Sequence, residues 1–227
     1  MPKGSGAGPK SSSSSSKKGG GQRFLPAVIN PNTPQHPNIL PDPNDPLSRY
    51  AGVRGQPMDI DPAARDSNPN FSKGEAYQTN CQRCIWAYEM RRRGYDVEAK
   101  PRTQSISDPA YNRGWTTFMQ GGSAASLVST PTQKAVEKQM ASWGEGARAV
   151  VQITYKSGRC GHVFIAERRN GKTLFVEPQA YNWYKPSEGY LSTMSKHITM
   201  SQTHLMRIDN MQPDPNKVGI FVQPSKH

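Results

Sequence analysis

The dipeptide Asn170-Gly171 constrains this chain more tightly than any other feature, because it is flanked by two β-rich runs, Gly161 to Glu167 and Lys172 to Glu177. Asn-Gly is the preferred pair for a two-residue type I′ turn, whose positive φ angles match the twist of the flanking strands. With Arg169 and Lys172 beside the turn, His162 faces Gln179 and Phe164 faces Glu177. Residues two apart in a strand share a face, so His162, Glu177 and Gln179 project to one side of the expected sheet. An imidazole then has a carboxylate and a carboxamide within diagonal reach, as a nucleophile-His-acid arrangement requires.

The spacing of apolar residues supplies the neighbouring elements. Ala149 to Tyr155 is a further β-rich run, and His204 to Asp209 reads as a last short strand. From Glu75 to Arg93, Tyr77, Cys81, Cys84, Ile85 and Tyr88 recur at helical spacing until Gly94 ends the pattern. Thr79 with Gln82 matches a capping box and Asn80 is also a good N-cap, so the strong helix is expected to begin just before Cys81. A second helix follows Pro131, from Thr132 to Trp143, with Gly144 as its stop. Between the helices, Lys100 to Thr130 reads as a loop anchored by Trp115 and Phe118. The expected class is α+β, helices first and an antiparallel sheet after them.

Composition indicates where this domain should begin and end. All four Trp, eight of nine Tyr and all three Cys lie after residue 70, whereas twelve of the twenty Pro lie before it. A Gly/Ser/Lys- and Pro-rich segment buries too little apolar area to offset the entropy of ordering it. Residues 1–70 are therefore expected to be a disordered arm, 71–212 the domain and 213–227 a tail. Such an arm suits a tether to a larger assembly or the lead-in to a delivered toxin.

The formal net charge is +12, with eight Lys/Arg against five Asp/Glu in residues 1–70. Apart from Arg91-Arg92-Arg93 and Arg168-Arg169 the basic residues are scattered, and no basic stripe interleaves with aromatics. They read as solvated faces, and a nucleic-acid partner is not expected. No apolar run approaches a membrane span or a signal-peptide core. An odd number of cysteines argues against a complete disulfide framework, so the chain is expected to be soluble and made in a cytoplasm.

Two residues carry candidate chemistry. Cys81 falls in the first turn of its helix, where the positive helix end favours an anion, while Cys84 lies a turn deeper. His162 opens a strand directly after Gly161; His36 and His227 fall in the expected arm and tail, and His197 and His204 have no motif around them. A bland reading competes: a small buried cysteine and a structural strand histidine. Cys81, Cys84, Cys160 and His162 could alternatively form a structural zinc site, although the Cys pair falls inside a helix instead of on a knuckle turn.

At these positions the sequence resembles a known family. Asn80-Cys81-Gln82-Arg83-Cys84, Tyr88-Glu89, Arg91 to Val97, Trp143 to Arg148, Gly161 to Glu167 and Phe175-Val176-Glu177-Pro178-Gln179 are similar, in that order, to the papain-fold toxin domain described as a glutamine deamidase. The likeness spans roughly residues 70 to 210. It implies a papain-like cysteine hydrolase fold, with the Cys-bearing helix packed on the sheet that carries the His. It also implies Cys81 as nucleophile and His162 as base, with Glu177 standing where the family usually has Asp.

Gln78, Asn80 and Gln179 are the supporting or oxyanion candidates. A second register stays open, since Gln78-x-x-Cys81-x-x-Cys84-x-Trp86 also mimics the spacing around a papain-type nucleophile; Cys84 would then attack and Gln78 would stabilise. The function implied is deamidation of a target protein's glutamine by a toxin, effector or phage-associated domain, without a cofactor. Such a domain is virion-associated or delivered into a target cell, and its partners are a protein substrate, an immunity protein and, through residues 1–70, a phage capsid or secretion partner. A cysteine protease, an acyl transferase, a non-catalytic phage component and a zinc-stabilised domain are the alternatives.

Overall fold

A computed structural model of the chain describes Leu47 and residues 57–103, 108, 110, 114–158 and 160–226. His36, His227 and, Leu47 apart, the first 56 residues of the arm with the docking role expected of them lie outside the described residues.

In chain order the main elements are α1 (Ile60–Arg65), α2 (Glu75–Gln78), α3 (Cys81–Arg92), β1 (Val97–Ala99), β2 (Val128–Ser129), α4 (Gln133–Trp143), β3 (Arg148–Thr154), β4 (Gly161–Arg169), β5 (Lys172–Val176), α5 (Tyr190–Met194), β6 (His204–Arg207), α6 (Pro215–Phe221) and β7 (Val222–Pro224). Five strands form one antiparallel sheet in the order β2-β6-β3-β4-β5, and β1 pairs with β7 apart from it. The β4–β5 hairpin has the expected register, Arg169 opposite Lys172 and Ile165 opposite Val176. Asn170 and Gly171 both take positive φ, 52° and 74°, as the type I′ turn demands.

Strand alternation divides the core between the two sheet faces. Val150, Val163, Ile165, Val176 and Met206 pack with Ile85, Trp86 and Met90 of α3. Val151, Ile153, Phe164, Phe175 and Leu205 face the other way, onto Val136 and Met140 of α4 and Leu191 of α5. Phe118 stacks on Trp86 with ring centroids 4.4 Å apart, and Trp115 lies 6.4 Å from the same indole, so both loop anchors are in the core. Thr132 caps α4 by accepting from the Ala135 N–H at 3.1 Å.

The arginine runs are not solvated faces. Arg91, Arg92, Arg93 and Arg169 are all buried. Arg92 pairs with Glu167 of β4 at 2.6 Å, and Glu89 takes Arg93 at 2.7 Å on one oxygen and Arg148 of β3 at 2.7 Å on the other. Tyr88 donates to Glu167 at 2.7 Å. Burial alone would raise the Glu89 pKa, yet the two guanidiniums bring it down to about 2. A run of like charges looks solvated in one dimension; only packing brings the matching acids from α3 and β4 beside it.

Both domain boundaries also move outward. Ile60, Ala63 and Ala64 of α1 are buried, the Met58 N–H donates to the Arg91 carbonyl at 3.1 Å, and the Ala99 N–H donates to the Ser67 carbonyl at 2.8 Å. Residues 57–70 therefore belong to the packed unit; a few small apolar residues at helical spacing outweigh the surrounding polar composition. The expected tail folds as well. Asp214 caps α6 through the Asn216 N–H at 3.0 Å, Val218 and Phe221 are buried, and Val222 of β7 pairs with Ala99. Pro215 reads as a breaker but occupies the first turn of α6, where proline fits. Among the described residues no helix is long and apolar enough to cross a membrane.

Removing the buried Glu89 carboxylate should strand Arg93 and Arg148. Glu89→Ala is expected to cost about 3–5 kcal/mol of unfolding free energy, measurable by urea titration; a loss no larger than a typical surface substitution would show that water already solvates the pair.

Candidate functional site

The helical pattern from Glu75 divides at Thr79 and Asn80, and α3 starts at Cys81, where the strong helix is expected to begin. Neither expected side-chain cap forms. Thr79 turns its hydroxyl back to the Glu75 carbonyl at 2.8 Å, and Asn80 serves a different purpose. Its amide nitrogen donates to the Lys100 carbonyl at 3.0 Å, and its oxygen accepts from Cys84 Sγ at 3.1 Å and from Gln179 Nε2 at 3.4 Å. Asn80 thus ties the start of α3 to the chain beyond β1 and to the chain that follows β5. The Cys81 N–H, first in the helix, has no backbone acceptor among the described residues.

His162 lies near the open end of β4, and Gly161 before it is fixed by a close approach. A Cβ there would lie 2.5 Å from the Ile153 carbonyl oxygen of the adjoining strand. The His162 Nε2 meets Glu177 Oε2 at 2.5 Å, with 10 % and 3 % of the two side chains exposed. Cys81 is half-buried and lines the same cleft as His162, and its thiol is among the groups that raise the His162 pKa. Glu177 takes up Nε2, which leaves Nδ1 as the nitrogen for proton exchange with the thiol. The stack of His162 on Phe164, centroids 6.0 Å apart, supports the ring plane.

Glu177 is held by more than the imidazole. Tyr190 of α5 donates to Oε2 at 2.7 Å, and the Gln179 N–H donates to Oε1 at 3.0 Å. The hairpin pattern brought His162, Glu177 and Gln179 together on paper, and the structure does the same. Tyr190 went unnoticed, because it reaches Glu177 from a helix beyond an irregular segment and no local periodicity links the two.

Burial disfavours the imidazolium, but the adjacent Glu177 charge and then Cys81 outweigh it and hold the His162 pKa well above its ordinary value. For Glu177 burial pushes upward, while the imidazole and the two further donors pull the carboxyl below its usual range. The signs agree. His162 keeps its proton as pH rises past the ordinary histidine range, Glu177 keeps its charge as pH falls past the ordinary carboxyl range, and the pair stays charged between those limits.

The other sequence candidates separate clearly. Cys84 is fully buried, and burial raises its thiol pKa far above normal, so it cannot serve as the accessible nucleophile. Gln78 is exposed and donates to the Phe71 carbonyl at 3.4 Å, away from the cleft, which removes its oxyanion role. Asn80 lines the cleft but has committed its amide donors to Lys100 and Asn68. The zinc set does not assemble: Cys84 is in the core, Cys160 is exposed, and no cluster of His, Cys, Asp or Glu among the described residues could hold a metal ion.

Cys81 and His162 open onto a cleft of about 610 Å³ whose walls include Gln82, Arg102, Trp115, Gln152 and Cys160. That size is ample for an extended side chain with its flanking backbone. Residues 79–181, a span containing Cys81, His162, Glu177 and Gln179 but not Tyr190, match the family model described as papain fold toxin 1, glutamine deamidase. The motif resemblance is thus to the family that this match names. No curated protein and no solved structure matches the chain.

Replacing Glu177 by Gln removes the charge that opposes burial at His162, so the imidazole pKa should fall back toward or below the ordinary histidine range in an NMR titration. Tyr190→Phe keeps that charge but removes a donor, so loss of the pair on acidification should begin at higher pH than in the parent. An unchanged His162 titration in Glu177→Gln would mean that another group orients the ring.

Proposed function

We propose that this papain-fold domain is a cysteine amidohydrolase that converts a glutamine side chain of a target protein to glutamate, acting as a toxin or effector. The observation that supports it most directly is the His162–Glu177 pair, whose imidazole shares an open cleft with the half-buried Cys81. The family description adds the substrate group.

The reaction divides into two stages. His162 enters the reaction as the imidazolium, and the Cys81 thiolate beside it attacks the carboxamide carbon. Charge developing on the carboxamide oxygen is received by the Cys81 N–H, which faces it from the positive end of α3. As the tetrahedral intermediate collapses, the imidazolium protonates the departing nitrogen, the C–N bond breaks and ammonia leaves a thioester on Cys81. His162, now neutral, takes a proton from water as the oxygen adds to the thioester carbon. C–S cleavage then releases glutamate and restores the thiolate beside the imidazolium.

Glu177 stabilises the charged ring in both stages and fixes its plane. Its extra methylene relative to Asp is accommodated because Tyr190 and the Gln179 N–H hold the carboxylate from two further sides.

A host-cell lysate treated with the protein, or with its Cys81→Ala counterpart, provides the test by peptide mass spectrometry. A particular glutamine converted to glutamate, in uncut chains and only with the parent protein, is the expected result. New chain termini would identify a protease and glutamines joined to amines an acyl transferase. Glu177→Gln should retain the fold and slow turnover by about 10²- to 10⁴-fold.

A further inference from the structure

The charges lining the cleft are unevenly balanced. Arg83 and Asp108 neutralise each other at 2.5 Å, with each side chain 4 % exposed. Asp108 is further saturated by the Thr103 hydroxyl at 2.5 Å and the Ala110 N–H at 2.9 Å, while Arg83 also donates to the Ile220 carbonyl. His162 is balanced by Glu177. Arg102 is different: it is exposed, lines the cleft, and has no carboxylate partner among the described residues. Asp108 is also the one acidic residue in the sequence from Lys100 to Thr130, and it is already taken.

The Arg102 backbone is not placed by chance. Its N–H donates to the Ala76 carbonyl of α2 at 2.7 Å, and two residues earlier the Lys100 carbonyl accepts from Asn80, the neighbour of Cys81, at 3.0 Å. The Lys100 N–H in turn donates to the Phe221 carbonyl at 3.0 Å. The segment bearing Arg102 is therefore fastened beside the positive end of α3. A guanidinium carried on a backbone held next to a helix N-terminus gives one wall of the cleft a field that favours anions.

We infer that Arg102 determines specificity by drawing in protein segments whose target glutamine has an acidic side chain close by. The inference rests on the proposed role of Cys81 but goes beyond it, since nothing in the nucleophile, base or orienting carboxylate prefers a charged neighbour. Arginine suits the task because its planar donors can take a carboxylate in two parallel hydrogen bonds.

Two small alkylating reagents separate this from the deamidase reading. Iodoacetate and iodoacetamide attack the same thiolate, so the thiolate fraction cancels in the ratio of their rates at Cys81 and only reagent charge remains. At low ionic strength the iodoacetate-to-iodoacetamide ratio should fall about three- to tenfold in Arg102→Ala, be largely kept in Arg102→Lys, and lose its dependence on residue 102 as salt is added. An unchanged ratio in Arg102→Ala overturns the inference, whatever the protein does to glutamine.

In a second arm, glutamine peptides with acidic, neutral or basic neighbours are offered to the parent protein and to Arg102→Glu. Deamidation favouring acidic neighbours in the parent and basic ones in Arg102→Glu is the expected result; equal turnover of all three by both proteins overturns it. If the alkylation ratio falls but no peptide is deamidated, the anion-drawing wall stands and the deamidase reading fails. Protection of Cys81 by a short oligonucleotide, but not by an acidic peptide of equal charge, would reassign the wall to nucleic acid and reject the proposal.

Discussion

Everything at the site depends on how α3 is held to the sheet, and buried ion pairs do much of the holding. Glu89 sits between Arg93 of its own helix and Arg148 of β3, while Arg92 reaches Glu167 of β4. Exchange for apolar residues would often stabilise such pairs, because desolvation offsets their attraction; once one partner is present, however, the other cannot be left alone. The practical effect is registration. A helix sliding by one turn would bury unpaired charge, so the α3 N-terminus, and Cys81 with it, has one permitted position against β4. The arginines also fall in the last turn of α3, where cations interact well with the helix dipole.

At the other end of α3, burial distinguishes two cysteines three residues apart. Cys81 borders the cleft within reach of the imidazole, whereas Cys84 is sealed in the core against Asn80. Low polarity disfavours a thiolate at Cys84 and shields it from reagents, while Cys81 is half-buried on the cleft that His162 also lines. The same burial works against the charged form of His162, and the Glu177 carboxylate reverses it. A carboxylate in a dry site must itself be satisfied. Tyr190 and the Gln179 N–H do this, which makes the second face of the sheet, built on α4 and α5, part of the support for chemistry that opens on the first.

The elements that register by repetition were legible from residues alone. The Asn170-Gly171 turn, the strand pairing around it and the α4 helix depend on neighbours a few residues apart, so their signals survive in one dimension. Elements that depend on distant partners were not. The α1 helix and the β1–β7 pair are short, carry little pattern of their own, and exist because α3 and the aromatic cluster offer them a surface. The buried arginines misled for a related reason: a charge reads as exposed until its partner, 59 or 75 residues away, is known.

By itself, the sequence determined the α+β class, the hairpin register that sets His162 and Glu177 on one face, and Cys81 in a first helical turn, because backbone periodicity and turn chemistry are local. The tertiary structure alone decided which side chains stand beside them. It took Gln78 away from the cleft, turned Asn80 from a cap into a tie, buried Cys84, brought in Tyr190 and left Arg102 facing the opening. Hydrogen-bond partnership and desolvation are properties of neighbours in space, and a chain acquires those neighbours only when it packs.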